Sequence, residues 1–184
     1  MKESADIIAA MKLVQDLEAI KRLKYKCMRC VDTKQWETLA DCFTEDATTS
    51  YEGGKYRLAG RDAIVDFFRR MNVSDLITMQ HVHHPEIEIT AGETAKATWA
   101  LEDYVIDLRA NWSLRGAAFY DDEYVRVDGQ WKIKHTGFRR VFWERWNRAE
   151  TRSLKLIENM HGLPRGDRNV SSRGNKRTLR GEVP

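Results

Sequence analysis

Residues 76–108 read LITMQHVHHPEIEITAGETAKATWALEDYVIDL. Apolar residues recur here at every second position, the period of a strand that buries one face. In the first half the odd positions are Ile77, Met79, His81, His83, Ile87 and Ile89. In the second half they are Ala95, Ala97, Trp99, Leu101, Asp103 and Val105. The turn signal Thr90-Ala91-Gly92-Glu93 separates the halves, which predicts antiparallel strands over 76–89 and 94–108. Two more strands fit 116–127 and 130–138, joined by Asp128-Gly129.

Upstream the period changes to 3.6. Ile7, Met11, Val14, Leu17, Ile20, Leu23, Cys27 and Cys30 form one stripe along a long amphipathic helix. Trp36, Leu39, Ala40 and Phe43 fit a short second helix, and Ile64, Phe67, Phe68 and Met71 a third that follows the Gly60 breaker. Between these two helices, 47–51 and 55–58 read as a hairpin around Glu52-Gly53-Gly54. Helices first and a long antiparallel sheet afterwards define an α+β fold. A strongly curved sheet wrapped around three N-terminal helices encloses a cone whose mouth suits a small ligand.

The 184 residues suffice for one main domain, 1–150, followed by a C-terminal extension, 151–184. The net charge of +3 comes from the end of that extension. Residues 162–184 hold six basic and two acidic side chains, leaving 25 basic and 26 acidic in the rest. The folded part therefore has no basic excess to draw in nucleic acid. The tail is too poor in large apolar residues to fold alone, so a solvated or subunit-draped extension is expected. No segment reaches the roughly 20 apolar residues of a membrane span, and residues 1–12 lack a signal-peptide core, so a soluble, cytoplasmic protein is expected. Cys27, Cys30 and Cys42 are expected as free thiols.

The polar residues on the apolar strand face carry the chemistry. Asp103 interrupts an otherwise apolar row and needs a partner. Alternation places His81 and His83 on the same inward face of the neighbouring strand, and His83 is the partner expected. A carboxylate that fixes an imidazole tautomer leaves the other ring nitrogen free to act as a general base. The same pair could equally be a satisfied polar contact that only fixes strand register. Asp32 stands at the C-terminal end of the first helix, where the dipole disfavours a negative charge; it is either a site residue or a cap for the next helix. Tyr51 and Arg140 are candidate hydrogen-bond partners for a ligand oxygen, against a plain surface role. The His81-Val82-His83-His84 run lacks an acidic third ligand at metal-site spacing, Cys27 and Cys30 lie on the apolar stripe, and no phosphate loop is present, so neither metal nor organic cofactor is expected.

Five segments resemble one family: 20–32 (IKRLKYKCMRCVD), 79–86 (MQHVHHPE), 99–103 (WALED), 116–124 (GAAFYDDEY) and the run DGQWKIKHTGFRR from Asp128. Over roughly 15–145 the chain is similar to the SnoaL-like branch of the nuclear transport factor 2-like superfamily of cystatin-like cones, and within it to the bile-acid 7α-dehydratases. Scytalone dehydratase is a more distant relative. The resemblance implies cofactor-independent elimination of water from a hydroxylated, steroid-like cyclic ketone. It assigns catalytic roles to His83, Asp103 and Asp32 and a pocket contact to Arg140; Tyr51, Cys27, His81, Trp99 and Phe119 are further substrate contacts expected here. Where the dehydratases carry a pocket Tyr five residues before the helix-end Asp, this chain has Cys27, a weaker donor that Tyr51 would replace. A ketosteroid isomerase-like or polyketide cyclase-like enzyme, or a non-catalytic binding module, remains open on the same residues. The outer sheet face, through Tyr104 and Ile106, is expected to pack in a homo-oligomer, a trimer or dimer.

Overall fold

A computed structural model of the chain describes residues 2–162. Helix α1 (Lys2–Asp32) is followed by α2 (Trp36–Ala40), the strands β1 (Phe43–Tyr51) and β2 (Tyr56–Ala59), and α3 (Arg61–Met71). Four long strands complete the fold: β3 (Leu76–Ala91), β4 (Thr94–Asp107), β5 (Trp112–Val127) and β6 (Gln130–Asn147). They form one six-stranded sheet in the order β2-β1-β6-β5-β4-β3. The expected α+β cone is present, with one pair that differs from an all-antiparallel sheet: β1 runs parallel to β6.

The C-terminal half of α1 lies against the sheet. Ile20, Cys27 and Cys30 are buried on the stripe that the spacing defined, together with Val31, Leu39, Ile64, Trp99 and Tyr124. The N-terminal half of the stripe is different, since Ile7, Met11 and Val14 are all more than half exposed. The helix simply continues past the end of the sheet it packs on.

Helix α1 stops in a Schellman motif. Lys34 sits at φ +58, its N–H donates to the Val31 carbonyl (3.3 Å), and the Gln35 N–H donates to the Cys30 carbonyl (2.9 Å). That ending turns Lys34 and Asp32 toward β3, which is an edge strand. Gln35, not Asp32, precedes α2, and no side chain caps it.

Strand β3 breaks the alternation on which the sequence expectation rests. Its register against β4 shifts between His83 and Glu86, and His84 within the shift has φ +45. Pro85 has no N–H to give to a ladder, which is tolerated on an edge strand and marks a bulge. The extra residue changes parity. Gln80 pairs with Asp103 and Val82 with Leu101 on the inner face, whereas beyond the bulge Ile87 pairs with Ala97 and Ile89 with Ala95. His81 and His83 therefore face outward and are exposed. Phe119 is likewise outward, at 47% exposure. Of the expected oligomer contacts, Ile106 is buried and Tyr104 packs on Trp146 with ring centroids 5.9 Å apart.

The expectation for the basic tail falls on residues 163–184, outside those described. Among the described residues no helix is long and apolar enough to cross a membrane.

The β1–β6 pairing is tight at one point. Gly137 pairs with Ser50, and a Cβ there would stand 2.6 Å from the Ser50 carbonyl oxygen. Backbone cannot yield as a side chain does, so Gly137→Ala is expected to lower stability by about 1–3 kcal/mol, read from the midpoint of urea unfolding. An unchanged midpoint would contradict the tight pairing.

Candidate functional site

A row of polar side chains crosses the concave face of the sheet near the end of α1. On β6, Arg140 forms a bidentate pair with Asp103 on β4, Nη1 to Oδ1 at 2.6 Å and Nη2 to Oδ2 at 2.8 Å. Its Nε donates to Glu52, in the turn after β1, at 3.2 Å. The guanidinium has to pass over β5, and Gly116 makes that possible. A Cβ at that position would meet Arg140 Nη1 at 2.7 Å and Asp103 Oδ1 at 3.1 Å. Asp103 thus has the partner its position demands, and that partner is Arg140 rather than His83.

Gln80 continues the row on β3. Its Oε1 is buried and has no hydrogen-bond partner among the described residues. Its backbone N–H, on the free edge of the strand, donates to Asp32 Oδ2 at 3.0 Å, and Thr78 Oγ1 donates to Asp32 Oδ1 at 2.8 Å. Lys34 Nζ donates to the Leu76 carbonyl at 2.9 Å on the same edge. Burial pushes the Asp32 carboxyl up to about 6; the hydrogen bonds from Gln80 and Thr78, and the nearby His81, work the other way. An acid so placed titrates close to neutrality.

Two of the expected residues meet Asp32 at the free edge of β3. A crevice of about 340 Å³ between α1 and β3 is walled by Tyr25, Met28, Asp32, Met79, His81 and His83. His81 and His83 stack there with ring centroids 6.0 Å apart. A larger groove, about 990 Å³, lies at the opposite end of the sheet and carries both signs of charge, among them Asp46, Arg61, Lys96 and Glu123.

The cone interior holds a second polar cluster, which the sequence analysis did not identify. Lys24 of α1 and Asp122 of β5 form an ion pair at 2.7 Å, with both side chains fully buried. Asp122 also accepts from Thr136 Oγ1 at 2.6 Å and Tyr124 OH at 2.7 Å, and Trp99 Nε1 donates to Tyr124 OH at 3.1 Å. The Lys24 ammonium stands 3.5 Å from the centre of the Tyr120 ring. Tyr51 is buried among Phe67, Phe68 and Phe138. Cys27 lies beside Cys42, whose hydrogen bond, with burial, pushes its thiol well up; it stays protonated and inert. Trp99, Tyr51 and Cys27 therefore belong to the interior, and His81, His83 and Phe119 do not.

Two signals were available for this cluster. Lys24 falls between Ile20 and Cys27 at helical spacing, and Asp122 alternates with Tyr120 and Tyr124 on the inner face of β5. Among the described residues no group of three or more His, Cys, Asp or Glu side chains is arranged to hold a metal ion.

A helix-filled, curved six-stranded sheet with a polar row on its concave face defines a cone of the nuclear transport factor 2-like class. The chain belongs to the SnoaL-like domain family, whose model matches residues 12–137. Solved structures share the fold at low identity. A scytalone dehydratase candidate from Novosphingobium aromaticivorans DSM 12444 is 23% identical, with a TM-score of 0.69 over 73% of this chain and 90% of that one. Hexachlorocyclohexane dehydrochlorinase LinA-type3 from Novosphingobium barchaimii LL02 is 18% identical, with a TM-score of 0.70 over 81% and 99%. An NTF2-like protein with a cystatin-like fold, also from Novosphingobium aromaticivorans, is 17% identical, with a TM-score of 0.62 over 73% and 88%.

Both carboxylates have measurable consequences. Removing one member of a buried ion pair strands the other, so Lys24→Met is expected to cost about 3–5 kcal/mol in urea unfolding, with partial recovery when Asp122→Leu is added. No recovery would count against the pair as the cause. Asp32 is raised from an ordinary 3.8 to about 6, so the folded state holds its proton more tightly than the unfolded one. The stability this contributes is complete below about 4 and is lost as pH rises through about 6, a change of about 2–3 kcal/mol. In Asp32→Asn that component should vanish from the pH dependence of unfolding, measured against the parent protein.

Proposed function

We propose that this protein is a cofactor-independent lyase that removes water from a hydroxylated, flat, apolar cyclic ketone, with Asp32 as the base. The observation that carries the proposal is the buried Asp32 carboxyl, pushed up to about 6 and held by the backbone of Gln80, whose register partner on β4 is the Asp103 of the Arg140 pair. The ideal general base titrates near the working pH, and Asp32 does. The names of two structural neighbours, a dehydratase and a dehydrochlorinase, both describe eliminations, which supports this reaction type.

In the proposed step Asp32 takes the proton from the carbon next to the ketone. The C–H electrons build an enolate, whose oxygen accepts hydrogen bonds from free N–H groups of Arg140 and from the Gln80 amide. Collapse of the enolate expels the β-hydroxyl. The Asp32 acid returns its proton to the departing oxygen, giving an enone and water and restoring the carboxylate. Tyr25, Met28 and Met79, which wall the crevice beside Asp32, supply apolar surface for the ring system.

The second reading is a ligand-binding module without turnover. It is favoured by the absence of any inward histidine on β3 and by Asp32 having an evident structural use at the strand edge. Incubation with 3-keto steroids bearing or lacking a 7-hydroxyl, followed by ultraviolet absorbance and mass, separates the two. Loss of water, with kcat rising as pH passes through about 6 and falling about 10²–10⁴-fold in Asp32→Asn, supports the lyase. A shifted double bond without mass change would replace it with an isomerase, and saturable binding without turnover with the binding module.

A further inference from the structure

Beyond β6 the chain turns back across the sheet. At its near end the Arg148 N–H donates to the Asn111 carbonyl at 3.0 Å, and the Arg148 guanidinium donates to the Ser113 hydroxyl at 2.9 Å, which ties the segment to the start of β5. At its far end His161 Nε2 lies 3.0 Å from the Asp32 carbonyl oxygen. In between, Leu154, Ile157 and Met160 are 39%, 82% and 74% exposed. So little apolar surface is buried that polar ties at the two ends hold the segment down, the signature of a unit with low local stability.

The far tie is built. Asn159 Oδ1 accepts from the His161 N–H at 3.0 Å, Asn159 Nδ2 donates to the Gly162 carbonyl at 2.6 Å, and the Gly162 N–H donates to the Asn159 carbonyl at 3.0 Å. Gly162 adopts φ +89, which a glycine accepts without strain. This turn presents the imidazole to the last helical residue of α1. A carbonyl only accepts, so Nε2 carries the proton. Burial, and then the Lys34 ammonium, lower the His161 titration below its ordinary range, so the ring is neutral at neutral pH.

We propose that residues 148–162 form a strap and that His161 is a positioning residue for Asp32, pinning the end of α1 and screening its carboxyl from water. The proposal deepens the reading of Asp32 as the base and rests on it for the catalytic consequence. The groups that face this carboxyl are Lys34 from the loop after α1, His81 from β3 and the neutral donors Thr78 and Gln80 N–H, while His161 from the strap holds the backbone carbonyl of the same residue. Of these, only His161 lies on a segment held by its ends. Opening the strap would let water reach the carboxyl and leave the β3 contacts in place.

The test is a ¹³C NMR titration of the Asp32 carboxyl in the full chain, with amide exchange recorded in parallel. In His161→Ala the acid dissociation constant of Asp32 is expected to rise about tenfold, moving the midpoint down by about one unit, as desolvation is relieved. Exchange over 150–162 should quicken in the same variant. His161→Asn, whose side-chain amide can donate to the same carbonyl, is expected to keep the parent midpoint and the slow exchange. An Asp32 midpoint in His161→Ala equal to that of the parent would overturn the proposal, as would failure of His161→Asn to restore it. The titration needs no substrate, so a lack of turnover would count against the lyase alone.

Discussion

Asp32 accepts from the Thr78 hydroxyl and the Gln80 backbone, and Lys34 donates to Leu76, all along the unpaired edge of β3. An exposed strand edge is a template for unwanted pairing, and these contacts cover it with the end of a helix. They also fix how far α1 penetrates the curved sheet. Cys27, Lys24 and Ile20 follow on successive turns of the same helix face, so seating its end sets the depth at which each meets the interior. The Schellman ending matters for the same reason, because it directs both side chains to the strand.

Within the cone, charge is paired with charge. The Lys24–Asp122 ion pair is surrounded by hydroxyl donors, and the Asp103–Arg140 pair is held by two parallel hydrogen bonds. Both are expensive to desolvate and repay the cost only through good geometry. Asp32 is the exception. Its oxygens meet neutral donors at short range, with cationic groups farther off, so burial dominates and its proton is held more tightly. A carboxyl that titrates near neutrality, next to two pairs locked in one state, is the group in this region best placed to exchange a proton.

Much of the fold was legible in the sequence because its signals are long. The stripe from Ile20 to Cys30, the alternation of β4 and β5 and the Gly53-Gly54 hairpin each repeat one rule over many residues. Asp103, Asp32, Tyr51 and Arg140 could be singled out because each stands where its local pattern does not require it. The partner of Asp103 was not legible, since alternation was carried straight through His84-Pro85. A proline inside a strand pattern signals a bulge, and a single extra residue exchanges the two faces of everything before it. The Arg140 contact depends on the missing side chain of Gly116 and on a reach across β5, neither of which has a periodic signature. Lys24 escaped notice because a stripe is read by its apolar members.

The parallel pairing of β1 with β6 has a consequence for the order in which the molecule is made. Thr48 lies beside His135 and Ser50 beside Gly137, so residues nearly half a chain apart must meet before the sheet is complete. Synthesis proceeds from the N-terminus. The hairpin of β1 and β2 is therefore made long before its second neighbour exists, and until β6 emerges it remains a two-stranded ribbon that is marginal by itself. Contacts between segments so distant in sequence are the slow ones to form. The vulnerable interval in the life of this protein is thus the time between completing residue 59 and completing residue 137, when the inner edge of β1 is open to any other chain.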